Sequence, residues 1–109
     1  MAYDERLAER VRQELSDHRR ITEKRMFGGI AFMIRGNMCC GIIDDRLMVR
    51  VGPDAYDKAL KLAHASVMDY TGRPMRGFVS VSLEGTKTAR QLRAWIQRGL
   101  DFAESLPAK

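Results

Sequence analysis

Between Arg25 and Val51 the chain reads RMFGGIAFMIRGNMCCGIIDDRLMVRV, and this stretch constrains the fold more than any other. Runs of Phe, Ile, Met and Val are separated by short clusters of Gly, Asn and Asp, the pattern of strands joined by tight reversals. Met26 to Arg35 reads as a strand. Gly36-Asn37 puts glycine at the first central position of a two-residue hairpin, which suits a type II′ turn. That turn sets Arg35 opposite Met38, Ile34 opposite Cys39, Met33 opposite Cys40 and Phe32 opposite Gly41. Asp44-Asp45-Arg46 makes a second reversal, and Leu47 to Val51 forms the next strand. Leu47, Val49 and Val51 share one face of it; Met48 and Arg50 share the other. The residues after Gly28-Gly29 continue a strand and open no helix, so the pair lacks the setting of a phosphate loop. It reads as a β-bulge or a close approach of two backbones.

Helices flank this meander. Leu7, Val11 and Leu15 fall four apart and Ala8 widens the stripe, predicting a helix over Asp4 to Asp17 with acids in its first turn. The polar stretch His18 to Lys24 reads as a loop. Gly52-Pro53-Asp54 opens a second helix running to about Ala65, with a buried stripe of Tyr56, Ala59, Leu60 and Ala63. Val67 to Tyr70 reads as a short strand, Thr71-Gly72-Arg73-Pro74 as a turn, and Gly77 to Leu83 as a half-buried strand. Thr88 and Gln91 match a capping box. They open a helix over Ala89 to Leu106, striped by Leu92, Trp95, Ile96, Gly99 and Ala103. The predicted order is α-β-β-β-α-β-β-α, with a five-stranded, mainly antiparallel sheet and helices on one face. This is an α+β fold, expected to form one domain over residues 1–109.

A sheet covered on one side should be polar on the other. Here the hairpin register puts Ile30, Phe32, Ile34, Cys39 and Ile43 under the helices. The opposite face then carries Phe27, Ala31, Met33, Met38, Cys40, Ile42, Met48 and Phe78. Apolar patches of this kind mark interfaces, and methionine suits adaptable packing. The expected occupant is a second copy of the chain or a protein partner, engaging Phe27, Met33, Met38, Cys40, Ile42, Met48 and Phe78.

Composition narrows the classes. The chain has 109 residues, 45% of them hydrophobic and 30% charged, which is the balance of an ordinary globule and not of a disordered chain. No apolar run approaches the roughly 18 residues of a membrane span. The charged start MAYDERLAERV has no secretory core, so the expected compartment is the cytoplasm. Nineteen basic residues are interleaved with 14 acidic ones, which reads as a solvated surface. The alternative is weak electrostatic nucleic-acid binding through Arg19, Arg20, Lys24 and Arg25.

Chemistry is scarce. Cys39 and Cys40, as strand neighbours, should point to opposite faces and act as structural thiols. A thiol-redox protein or small enzyme is the third reading. His18 and His64 stand alone, and neither a metal-ligand spacing nor a nucleophile–base set is present. The start of the last helix, Gly85-Thr86-Lys87-Thr88 with Arg90, reads as a capped helix with a solvated first turn. No catalytic residue, cofactor or metal is expected.

Arg25-Met26-Phe27-Gly28-Gly29, followed by Gly36, Met38, Gly41-Ile42 and Leu47-Met48-Val49-Arg50, resembles the amino-terminal domain of the TfoX/Sxy family. Met68-Asp69-Tyr70 and the Leu92-Trp95-Ile96 helix extend the likeness over nearly the whole chain. The resemblance implies a two-layer domain of order α-β3-α-β2-α, similar to secretion-chaperone-like domains. It also implies a place among bacterial regulators of natural competence, which act in transcription through a protein partner, with this chain a single-domain member. The family supplies no catalytic residues. Cys39-Cys40 departs from its pattern, which favours an aromatic residue in that strand.

Overall fold

The structure is a computed structural model that describes residues 3–18, 20–26, 28–68 and 75–108. Helix α1 spans Glu5–Glu14. It starts where the Asp4 carboxylate accepts from the N–H groups of Arg6 and Leu7, at 2.9 and 3.1 Å, which satisfies two amides that have no partner within the helix. Leu7, Ala8 and Val11 are buried on its inner side. It is shorter than the predicted span to Asp17.

Of the stretch expected to be a loop, Ile21 to Lys24 is instead strand. Ile21–Met26 forms β1 and pairs antiparallel with β2, Gly29–Ile34. Its four central residues, Thr22 to Arg25, are exposed. The strand lies at the sheet edge, where charged side chains guard unpaired backbone against other chains. That guarding removes the apolar alternation by which a strand is recognised. β3 (Asn37–Ile43), β4 (Arg46–Arg50), β5 (Ala65–Val67) and β6 (Phe78–Val81) complete a six-stranded sheet in the order β1-β2-β3-β4-β6-β5, antiparallel throughout. Mixed α+β is therefore right, and among the described residues the sheet has six strands, not five.

The hairpin register differs from the expected one in two ways. Arg35 and Gly36 are the central turn residues, with φ of 51° and 83°. Positive φ at both positions defines a type I′ turn, so Ile34 faces Asn37 and Met33 faces Met38. Asn37 belongs to the strand: it is buried, and its Nδ2 donates to the Pro107 carbonyl at 2.9 Å. A bulge then follows, after which Phe32 faces Cys40, Ala31 faces Gly41 and Ile30 faces Ile42. Cys39 is the extra residue, and because a bulge interrupts the alternation, the β3 residues Cys40, Ile42 and Ile43 beyond it change face.

The connection after β4 also differs. Helix α2 is only Tyr56–Leu60, and Ala65, the expected helix end, begins β5. His64 sits at φ 71°, a left-handed conformation that no helix continues through. Tyr56 and Ala59 are buried as expected, while Ala63 is exposed. Of the expected strand Val67 to Tyr70, Val67 is in β5, while Asp69, Tyr70 and the turn Thr71-Gly72-Arg73-Pro74 lie outside the described residues. A short 3-10 helix, Leu83–Thr86, leads into α3, Ala89–Glu104.

Helix α3 keeps its predicted start and stripe. Thr88 and Gln91 form the reciprocal capping box, and Leu92, Trp95, Ile96, Gly99, Leu100 and Ala103 are all buried. The helix lies across β3 and β4, and at Gly99 it touches backbone. A Cβ there would stand 2.4 Å from the Cys39 carbonyl oxygen. One core cluster unites the three helices with Ile30, Phe32, Ile34, Leu47, Val49 and Val81 on the same side of the sheet.

Candidate protein-binding face

The other side of the sheet holds a second, separate cluster. Ala31, Met38, Met48 and Met68 are buried in it, and Met26, Met33, Ile43, Met75 and Phe78 pack around them half-exposed. The chain has seven methionines, and six of them meet here. Met68 and Met75 come from either side of the segment 69–74, and the Met75 N–H donates to the Met68 carbonyl at 3.0 Å. The floor is well filled, with a void of only about 10 Å³ between Met26, Met38, Met48 and Met68.

The residues expected on this face divide. Met38 and Met48 are there as floor, only 9% and 5% exposed, and Met33 and Phe78 stand at its rim. Cys40 and Ile42 are not. Both are fully buried in the helix-side core, while Ile43, expected under the helices, faces the methionines. The bulge at Cys39 accounts for all three corrections. Phe27 lies outside the described residues. Sequence reasoning missed Met68 and Met75, whose only signal was a pair of methionines flanking a turn-forming segment.

The two thiols therefore lie together. Cys39 and Cys40 are both buried on the helix side, because the bulge leaves successive residues facing one way. A hydrogen bond to Cys39, reinforced by burial, pushes the Cys40 thiol well above its ordinary range. A raised thiol pKa contributes stability that is complete below the unfolded-state value of about 8.5 and is lost as pH rises beyond it. Alkylation of folded protein at neutral pH is accordingly expected to proceed no faster than global unfolding allows. Thiol titration at intermediate urea concentrations checks this; rapid modification without denaturant would contradict it.

The family-motif glycines have separate jobs. Gly28 takes φ 73°, which a residue without Cβ adopts freely. At Gly29 a Cβ would fall 2.0 Å from the Ile42 carbonyl oxygen, so the expected close approach of backbones is real, and the bulge lies elsewhere. Arg25 is exposed and Met26 joins the methionine cluster.

Two of the expected nucleic-acid contacts, Lys24 and Arg25, do not share a face of the sheet. Along β1, Lys24 faces Ala31 and Arg25 faces Ile30, so alternation sends them to opposite faces. Arg20 precedes the strand, and Arg19 lies outside the described residues. Between them and α1, Glu23 accepts from Arg12 in a fork of 2.8 and 2.9 Å, which lowers the Glu23 pKa. Other arginines are taken up by helix ends: Arg10 donates to the Thr86 carbonyl at 2.6 Å and Arg35 to that of Glu104 at 2.7 Å. Among the described residues no group of His, Cys, Asp and Glu is placed to hold a metal ion, and no helix is long and apolar enough to cross a membrane.

A family model for the TfoX N-terminal domain matches residues 13–103. The chain belongs to that family. Searches of curated proteins and of solved structures each returned no match. In TfoX N-terminal terms, the matched region takes in the six described strands, α2, all of α3 but Glu104, and the described residues of the methionine face.

Proposed function

We propose that this TfoX N-terminal domain is a non-enzymatic protein–protein interaction module of a competence-type regulatory system, acting in the cytoplasm. Its contact surface is the methionine face, and its partner is a regulatory protein or a second copy of the chain. One observation carries the reading: Met26, Met33, Ile43 and Phe78 stand half-exposed around a buried methionine floor. Six methionines on one sheet face give a soft surface that re-packs to fit a partner. Among the described residues, aliphatic side chains make up most of the helix-side core, and none of its members is a methionine.

Met33→Glu tests it, because Met33 is at the rim and its replacement leaves the floor intact. Affinity capture from native extract with wild-type and Met33→Glu protein, after matched thermal melts, should recover a partner with the first and lose it with the second. Light scattering at micromolar concentration reports the self-association branch. Equal recovery and equal mass for the two proteins would sink the assignment of this face.

A further inference from the structure

A polar constellation borders the methionine face at the far edge of the sheet. Arg46 on β4 donates from Nε to the Ser80 hydroxyl on β6 at 2.6 Å and from Nη2 to the Ser66 hydroxyl on β5 at 2.9 Å. Ser66 and Ser80 are cross-strand partners. The guanidinium thus reaches across β6 and is fixed over β5, the last strand in the order. The serines take the Nε–H and one Nη2–H, which leaves the Nη1 pair and the second Nη2–H, a fork matched to a carboxylate. Among the described residues no carboxylate comes within 4.0 Å of it. Asp44 lines the same open cleft of about 400 Å³, whose other walls include Ile43, Met48, Val67 and Met68.

Among the described residues no strand pairs with the outer edge of β5. Ser82 N–H donates to the His64 carbonyl at 3.0 Å, so the bonds to β6 run through His64 and Ser66, and Ala65 and Val67 turn their main-chain groups outward. The Ala65 N–H is used by Leu62. Val67 is 41% exposed, the most exposed large apolar side chain among the described residues. The two sheet edges differ: β1 has four exposed polar or charged residues, Thr22 to Arg25, whereas β5 has only Ala65, Ser66 and Val67.

We propose that β5 receives an extended acidic peptide segment of a partner protein, paired antiparallel or parallel along its outer edge, with one Asp or Glu side chain seated on Arg46. The residue opposite Ser66 in an added strand projects to the same face as Ser66, with its Cβ within about 5.5 Å, and so reaches the guanidinium. Net charge supports the sign: a chain of +5 attracts an acidic segment and disfavours a basic one. The proposal rests on the protein-binding reading above and names the chemistry of the partner.

The probe is a short capped peptide of alternating valine and threonine with one central glutamate, titrated into isotopically labelled full-length protein and followed by NMR. Saturable shifts are expected at the amides of Ser66 and Val67 and at the Arg46 Nε–H. The glutamine version of the peptide should bind at least about tenfold more weakly, the loss set by one charge-assisted hydrogen bond. Arg46→Met should reduce glutamate-peptide affinity to that level. The two peptides on unaltered protein keep the result independent of how the variant folds. Equal affinity of the two peptides, shifts centred on β1, the same Arg46 shift with sodium acetate alone, or a β5-paired dimer without peptide would each overturn it. Loss of partner capture on Met33→Glu but not on Arg46→Met would remove this site and leave the methionine-face reading standing.

Discussion

Gly99→Ala is expected to destabilise the protein by about 1–3 kcal/mol, the range for overpacking a filled interior. Helix propensity alone argues the reverse, since alanine in place of glycine in a helix interior is worth about 1 kcal/mol. Packing decides. The added Cβ would lie 2.4 Å from the Cys39 carbonyl oxygen and 3.3 Å from its sulfur. A carbonyl in a bulged strand cannot rotate aside as a side-chain tip can, so α3 must retreat by about 1 Å to restore an ordinary 3.4 Å contact. Trp95, Ile96 and Leu100, buried on the same stripe, would loosen with it. Urea unfolding reads the difference directly. A variant more stable than the parent would mean that the bulge yields and that the helix–strand contact is not tight.

Met48→Glu should have a larger effect, roughly 3–5 kcal/mol, as for an uncompensated charge left in an interior. Met48 is 5% exposed and sits among Ala31, Met38 and Met68. At 5% exposure the substituted carboxylate is largely desolvated, so its folded-state pKa rises above the unfolded value of about 4.3. The penalty is therefore smallest below that pH and grows as pH increases through it. Chemical unfolding at pH 4 and pH 8, chosen as about the two sides of a carboxylate titration, should show the variant closer to wild type in acid. Met33→Glu, at the exposed rim, should lose less than about 1 kcal/mol at either pH. If the two variants melt alike, the distinction between floor and rim is wrong.

The sequence made some elements plain and concealed others for identifiable reasons. The start and stripe of helix α3 were readable because a capping box and a 3.6-residue periodicity are both local patterns. The close approach at Gly29 was one of two readings the glycine pair allowed, beside a β-bulge, because both need a residue without Cβ. β1 was hidden, since edge strands are polar where core strands are apolar. The hairpin register was hidden too. Arg35 occupies a left-handed position that favours glycine or asparagine, and nothing local marks Cys39 as a bulge. One extra residue was enough to exchange Cys40 and Ile42 with Ile43 between faces. The Arg46–Ser66–Ser80 constellation joins three strands over 34 positions of sequence and depends on a strand order that periodicity cannot supply.

The separation of methionine from the helix-side core gives the domain two halves of unequal chemical hardness. Oxidants act on thioethers and spare aliphatic side chains, and the helix-side thiols are buried. Peroxide exposure would thus fall first on Met26, Met33 and Met75, the half-exposed members of the far face. Each sulfoxide would set a polar group where the surface is now apolar, while the hydrogen-bonded sheet and the α3 packing beneath stay as they are. The fold would persist and its contact surface would change, a lesion that methionine sulfoxide reductases can reverse.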